Sequence, residues 1–425
     1  MGKTCAFITL GCKVNQYDTQ IIREALHRKG YQEVSPEHPA ELYVINTCAV
    51  TSTSERKSRQ EISKAIRRNK GAGVVVTGCY AKADPEALLR IKGVRRVIDK
   101  EELCLTLGDG DSHKRGIRQF HDHSRAFLKI EDGCEASCSY CIVPTLRGKV
   151  RSRPKETILE EARRLVANGY KEIVLTGVRL SAYGRDLKGD TLLEVAKELH
   201  EVNGLYRIRL SSLEAAEVSE GLIDIAASSD RLCPHFHLPL QSGDDYILKK
   251  MNRHYTVGEY LRIIYNIKNK VTFPSFSSDV IVGFPGEGIE HFRNTSEVCR
   301  EVGFSRIHIF SFSPRRGTPA AQMSGRCSPV EMQERKRELE TLAQGLALEY
   351  KRKFLGKDDI EILMEESTSP GEYSGYSERY IKADFSGQPR TNKVRGQDGL
   401  IGKMVKVRVE EVFPEYVRAS LREQL

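Results

Sequence analysis

The sequence predicts an α/β protein in three parts: an N-terminal open parallel α/β domain over 1–115, a central partial (βα)6 barrel over 116–355, and a small C-terminal β-barrel over 358–425. Three observations predict it. Short apolar runs alternate with helical patterns over the first hundred residues, which implies a parallel sheet with helices on its faces. The alternation resumes near residue 125 with six strand–helix units, two short of an eight-fold barrel. The last seventy residues change to short alternating strands separated by Gly, Pro, Asn and Ser, as in small closed barrels.

In the N-terminal part, strands are expected at 5–10, 42–47, 73–77 and 94–98, and helices at 18–29, 53–69 and 85–91. A polar stretch at 107–124, "LGDGDSHKRGIRQFHDHS", reads as a linker. The central strands are expected at 126–130, 172–176, 206–211, 235–238, 277–283 and 306–312. Helical periodicity lies between them, as in "TILEEARRLVANG" (157–169) and "VGEYLRIIYNIKN" (257–269), and a charged helix follows at 329–353. "IEILMEES", "YIKADF", "MVKVRVEEVF" and "YVRASL" supply the terminal strands.

The chain has 425 residues, 39% hydrophobic and 29% charged, as in a globular protein of two or three domains. No apolar stretch approaches the ~20 residues that cross a bilayer. "MGKTCAFITLGCK" is not a cleavable signal peptide, because its apolar run breaks at Gly11. Ala6 stands where a myristoylated Gly2 would need Ser or Thr. A cytoplasmic protein with no membrane partner is expected. Eleven cysteines, an odd number in a large chain, argue against a disulfide framework and for metal or redox chemistry. The net charge of +9 hints at a polyanionic partner.

"GCEASCSYC" gives Cys134, Cys138 and Cys141 a C-x3-C-x2-C spacing just after a strand. Structural zinc takes four ligands, and no fourth Cys or His is near in sequence. The spacing also differs from ferredoxin runs. Three thiolates on a [4Fe–4S] cluster leave one iron open to a substrate or cofactor; zinc or unrelated thiols are the alternative. A second trio is dispersed. "FITLGC", "LYVINTC" and "VVVTGC" each end a strand on a cysteine: Cys12, Cys48 and Cys79. Ligands of open parallel sheets sit beyond the carboxyl ends of the strands, so these thiols can converge. Singly, each reads as a buried structural thiol. Together, with Gly11, Asn46, Thr47 and Gly78 allowing close approach, they read as a second cluster site. Cys5, Cys104, Cys233, Cys299 and Cys327 read as structural.

The C-x3-C-x2-C spacing, with Tyr140 before its third cysteine, resembles the radical S-adenosylmethionine (SAM) superfamily. The count of six βα units agrees with that superfamily's partial barrel. "TLGCKVNQYDT", "INTCAVT", "VTGCYA", "GCEASCSYCIVPTLRG", "HLPLQSG", "MNRHYT", "DVIVGFPGE" and "FSPRRGTPA" together resemble the methylthiotransferase family of radical SAM enzymes over nearly the whole chain. "GYSERYIKADF" with "GKMVKVRV" resembles the TRAM RNA-binding barrel. The resemblance implies SAM and two [4Fe–4S] clusters as cofactors. Cys134, Cys138 and Cys141 would hold the SAM-cleaving cluster. Cys12, Cys48 and Cys79 would hold an auxiliary cluster carrying the sulfur to be methylated and inserted.

SAM is expected at the strand ends on top of the barrel. Candidate contacts are Tyr140, Gly177 of "LTGVRL", Ser212 and Glu214 of "SSLE", Gln241 of "LQSG", Arg253 of "MNRHY", and the backbone of Ile281 and Val282. For each, a plain turn residue is the competing reading. Basic residues are uneven. Residues 54–70 hold seven Lys or Arg against two Glu, and read as a solvated helix face. "RGKVRSRPK" (147–155) holds five positives and no acid directly after the cluster motif, so RNA is expected at Arg147, Lys149, Arg151 and Arg153, with Arg179 on the "TGVRL" turn. Residues 358–425 hold 10 Lys or Arg and 13 Asp or Glu, so RNA contact there needs a local stripe. Lys403, Lys406 and Arg408 are the candidates, with Tyr376 or Tyr380 for base stacking.

The family's targets differ: isopentenyladenosine in tRNA, threonylcarbamoyladenosine in tRNA, or an aspartate of a ribosomal protein. "GCKVNQYDT" resembles the threonylcarbamoyladenosine branch most. The expected reaction is therefore methylthiolation at C2 of that base next to the anticodon. The implied partners are tRNA, an electron donor and a sulfur source, and the chain is expected to be a monomer. A ribosomal-protein target and a non-catalytic iron–sulfur RNA-binding protein are the competing readings. The basic 147–155 segment opposes the first, and two open irons oppose the second.

Overall fold

The computed structural model describes residues 3–107, 115–121, 123–357, 360–369, 371–386 and 401–425. The first sheet is all parallel, in the order Gln32–Glu33, Thr4–Thr9, Leu42–Thr47, Gly73–Gly78, Val94–Val97. Tyr43, Val44, Ile45, Val74, Val75 and Val76 are all buried. A sheet covered on both faces requires such continuous apolar runs. The strand ends at Thr9, Thr47 and Gly78 are adjacent in this order, so Cys12, Cys48 and Cys79 leave one edge together.

The helix Lys13–Arg28 starts five residues before the expected 18. Its N-cap is Cys12, whose side chain caps nothing, and its first turn carries no acid. The usual start signals are therefore missing. Asn15 in that turn is buried instead, donating to the carbonyls of Leu10 (2.9 Å) and Thr47 (3.1 Å). It ties the helix start to two cysteine-bearing loops.

The expected linker is not one throughout. Residues 108–114 and 122 lie outside the described residues, but Ile117 and Phe120 are core residues. The Ile117 amide donates to Glu161 Oε1 (3.0 Å) and the Arg118 amide to Glu24 Oε1 (2.7 Å). These bonds bind the segment to both the first sheet's helix and the barrel.

The six central strands are Arg125–Lys129, Glu172–Thr176, Arg207–Leu210, His235–His237, Ser275–Val282 and Arg306–Ser311. They form two parallel three-stranded sheets, joined by single bridges Ile208↔Leu232 and Ser212↔His237. The first and sixth strands are not paired, so the barrel is open. Helices such as Lys155–Ala167 and Val257–Lys270 cover its outer face.

The C-terminal strands Ile360–Ser369, Glu372–Ser377, Lys382–Ser386, Met404–Val412 and Val417–Gln424 close into a small barrel. It seals the bottom of the central barrel, where the strands start. Arg209 donates to Glu172 and to the carbonyls of Ser377 and Glu378, both at 2.9 Å. Arg207 donates to the carbonyls of Tyr376 (3.1 Å) and Glu361 (2.7 Å). The Tyr380 ring stacks on His235 at 5.0 Å and lies against the Arg125 and Arg209 guanidiniums. Tyr376 is also taken, by Arg125 at 4.8 Å. This corrects the expectation that these tyrosines stack on RNA bases: their faces serve the seal, where buried guanidiniums need aromatic and carbonyl partners.

Candidate active site

The two cysteine trios flank one short helix, Val143–Arg147, which begins two residues after Cys141. Its Leu146 packs with Cys79 and Tyr80 of the first sheet. On the first-sheet side, Gly11 has φ +107°, and a Cβ there would lie 3.3 Å from Cys48 Sγ and 3.1 Å from its Cβ. Gly78 (φ +93°) is tighter, since a Cβ would meet Asn46 Oδ1 at 2.2 Å. Both glycines are thus required for the thiols to converge. Cys12 is exposed, while Cys48 and Cys79 are buried. Burial pushes the free Cys79 thiol up to about 11, against the pull of the Arg147 charge.

Arg147 stands at the junction. It donates to Asp132 Oδ1 (2.8 Å) and to Asn15 Oδ1. Asp18 and Asp132 share Lys129 (2.6 and 3.0 Å), and Lys100 reaches Asp18 at 2.9 Å. A cavity beside this network is lined by Cys79, Lys82, Arg147 and Arg151.

On the barrel side, an open pocket of about 420 Å³ is lined by Cys138, Arg179, Glu214, Arg253 and Tyr255 among others, a size suited to a small-molecule cofactor. Glu214 takes two bonds from Arg253 Nη2 (2.5 and 2.6 Å), and Arg253 Nη1 approaches Cys138 Sγ at 3.5 Å. The Ala136 amide lies 3.4 Å from Cys134 Sγ, and burial pushes the Cys141 thiol up to about 12. Within each trio the thiols feel one another: Cys12 and Cys48 add to the rise of Cys79, and Cys138 and Cys134 to that of Cys141.

The expected SAM contacts divide. Glu214, Arg253 and Cys138 meet in the pocket. Tyr140 packs edge-on against Phe284 at 6.4 Å, in a cluster with Ile281. Ser212 and Gln241 lie on barrel bridges, to His237 and Val280. The Ile281 amide donates to the Gln241 carbonyl (2.9 Å) and the Val282 carbonyl accepts from Phe312 (2.8 Å), so these backbone groups serve the sheet. Gly177 makes room for a side chain of this protein: a Cβ there would meet Glu131 Oε2 at 2.5 Å. Sequence reasoning missed Glu131. It is 1% exposed, accepts from the Arg179 amide (2.9 Å), and leaves Oε1 without a hydrogen-bond partner among the described residues. Burial, with Asp132 adding to it, pushes its carboxyl up to about 8. Its acidic neighbour in "EDGC" hid it, because paired acids usually mark exposed loops.

The expected RNA residues divide too. Lys149, Arg151 and Lys403 are exposed. Lys406 pairs with Glu423 at 3.8 Å, and Arg408 is half-buried in the same strand. Arg147 and Arg153 are engaged within the protein. Arg153 is held by Glu161 (2.6 Å) and Tyr17 (3.0 Å) behind the barrel, and Arg147 by the junction described above. Arg179 pairs with Glu217 and lines the open pocket beside Cys138.

Residues 4–99 match the family described as "Uncharacterized protein family UPF0004", and residues 128–299 match the radical SAM superfamily. The chain is 38% identical to the threonylcarbamoyladenosine tRNA methylthiotransferase MtaB of Bacillus subtilis, over 96% of this chain and 93% of that one. It is 36% identical to the protein of that name from Thermotoga maritima, over 98% and 96%. The chain belongs to the methylthiotransferase family of radical SAM enzymes. A tRNA-2-methylthio-N(6)-dimethylallyladenosine synthase of Carboxydothermus hydrogenoformans is also similar, 34% identical over 96% and 97%. Among solved structures, the radical SAM methyltransferase TsrM of Kitasatospora setae shares the fold, with TM-score 0.56 and 14% identity over 81% of this chain and 89% of that one.

A radical SAM methylthiotransferase is a transferase that uses SAM and [4Fe–4S] chemistry. The two trios fit such groups: each offers three thiols, with Arg147 and Arg253 beside them to offset thiolate charge. Among the described residues, no helix is long and apolar enough to cross a membrane.

Proposed function

We propose that this enzyme methylthiolates C2 of N6-threonylcarbamoyladenosine next to the anticodon of tRNA. The observation that carries it is the set of relatives bearing that activity in their names, 36–38% identical over most of their length, against 31–34% for the dimethylallyladenosine synthases. An adenine C–H has no acidic proton and no leaving group, so acid–base groups cannot open it and a radical is apt. Bound clusters and SAM would supply a 5′-deoxyadenosyl radical at the Cys134–Cys138–Cys141 side and the methylated sulfur at the Cys12–Cys48–Cys79 side. This chain's residues orient and shield. Glu214 and Arg253 shape the SAM pocket beside Cys138, and Arg147 ties the two halves together, from Asp132 on the barrel side to Asn15 on the first-sheet side. A reductant and a sulfur source complete the reaction in the cytoplasm. Mass spectrometry of nucleosides from treated tRNA tests the assignment.

Two exposed basic surfaces suit the RNA backbone. Lys149 and Arg151 are exposed, and Arg151 borders the cavity that Cys79 lines. On the helix Ser52–Arg68, Arg56, Arg59, Lys64 and Arg67 line a shallow groove with Gln60 and Ser63 and no acid. From Arg56 to Arg67 that stripe runs about 16 Å along the helix at ~1.5 Å per residue. The expected result is that the Lys149→Glu/Arg151→Glu variant binds tRNA more weakly than wild type. Its salt slope should fall by about 0.7–0.9 for each phosphate that is no longer neutralised, with SAM cleavage in the absence of tRNA unchanged. An unchanged slope removes this surface from the RNA path.

A further inference from the structure

We propose that His237, Asp279 and His308 form a site for one divalent transition-metal ion of the zinc class, facing the interior of the central barrel. The three residues lie on the adjacent strands His235–His237, Ser275–Val282 and Arg306–Ser311. Asp279 and His308 are register partners, and His237 pairs with Ser277, two residues before Asp279 on the same face. The opposite face carries Phe236, Phe276 and Val280, which are buried in the main core under the helices. The His–Asp–His face therefore looks inward, and all three residues are half-buried.

One ligand atom from each residue lies within 4.8 Å of the others. His237 Nε2 and Asp279 Oδ2 are 3.5 Å apart, beyond a good hydrogen bond. Two ligands of a tetrahedral zinc, with bonds of ~2.0–2.1 Å, sit about 3.4 Å apart. The pair is thus spaced as an edge of a coordination shell.

The surroundings prepare the nitrogens. Ser277 Oγ lies 2.9 Å from His237 Nδ1 and 2.9 Å from His235 Nε2. Engaging Nδ1 fixes the ring and leaves Nε2 for a metal, the usual arrangement behind a ligating histidine. Neither ring nitrogen of His308 has a hydrogen-bond partner among the described residues; its ring only meets that of His237, at 5.9 Å. Two imidazoles and a carboxylate without a thiolate suit zinc or ferrous iron rather than an iron–sulfur cluster. Three protein ligands leave a fourth position open to the barrel interior.

The test uses the full chain with its iron–sulfur centres reconstituted, equilibrated with zinc ion and passed through a desalting column. Wild type should retain about one zinc per chain, and its zinc-edge absorption should show nitrogen and oxygen neighbours at ~2.0–2.1 Å. Asp279→Asn and His308→Gln should each lower retained zinc at least tenfold and leave the iron content unchanged. The proposal is overturned if wild type retains no zinc, if its zinc sits among sulfurs at ~2.3 Å, or if both variants hold as much as wild type. Should a variant lose iron as well, the wild-type absorption spectrum decides by itself.

Discussion

Replacing Cys134, Cys138 and Cys141 together by alanine is expected to halve the iron of the reconstituted enzyme, from about eight to about four atoms per chain, and to abolish SAM cleavage. The two trios stand on different supports, and that separation is the reason for the halving. The first is held by the parallel sheet through Gly11, Gly78 and Asn15. The second is held by a loop whose Cys138 meets Arg253 and whose Ser139 amide donates to the Met251 carbonyl (2.9 Å). Alanine is smaller than cysteine and creates no clash at either support. The first-sheet iron should therefore survive. A triple variant that keeps all its iron, or one that still produces 5′-deoxyadenosine, contradicts the assignment.

Glu172→Ala is expected to destabilise the protein by about 3–5 kcal/mol, the cost of removing one partner from a buried ionic group. Glu172 is fully buried at the bottom of the barrel. Arg209 reaches it at 2.7 Å, Arg207 at 3.6 Å and Arg125 at 3.9 Å. Burial by itself would raise its pKa, but Arg209 and Arg125 outweigh that and hold it below the usual carboxylate range. The sign follows: its contribution is complete above the unfolded value near 4.5 and is lost as pH falls through the lowered folded value. Thermal unfolding of wild type and variant at neutral pH measures the effect. A variant within about 0.5 kcal/mol of wild type, the range of ordinary surface changes, would show that Glu365 and Glu378 suffice for the three arginines. Deleting the terminal barrel would expose the same guanidiniums, so surface charge substitutions separate RNA binding from stability better than truncation.

The architecture was legible because strand and helix periods differ so plainly. Runs such as "VVVTG" and "SSDVIVG" can only be buried strands when turns bound them, and six such runs imply the open barrel. The placement of Cys12, Cys48 and Cys79 at neighbouring strand ends was legible because each closes an apolar run. What stayed hidden depended on pairing across long separations. Arg153 looks like a free cation until Glu161 is seen beside it, and Arg147 until Asp132 is. Tyr376 and Tyr380 look like stacking platforms until the barrel base covers them. Glu131 and the His237–Asp279–His308 group lack any local spacing signal, because their partners come from other strands.

The central claim is the substrate. The threonylcarbamoyl group bears a carboxylate and a hydroxyl, whereas isopentenyl is apolar, and polar groups built for the first are costly to bury against the second. The decisive measurement is a competition in one reaction with reconstituted enzyme, SAM, a sulfur source and a reductant. Equal amounts of tRNA carrying threonylcarbamoyladenosine and tRNA carrying isopentenyladenosine are supplied, and the methylthio nucleosides are scored by mass spectrometry. The account predicts 2-methylthio-N6-threonylcarbamoyladenosine as the dominant product; equal conversion, or preference for the isopentenyl substrate, contradicts it.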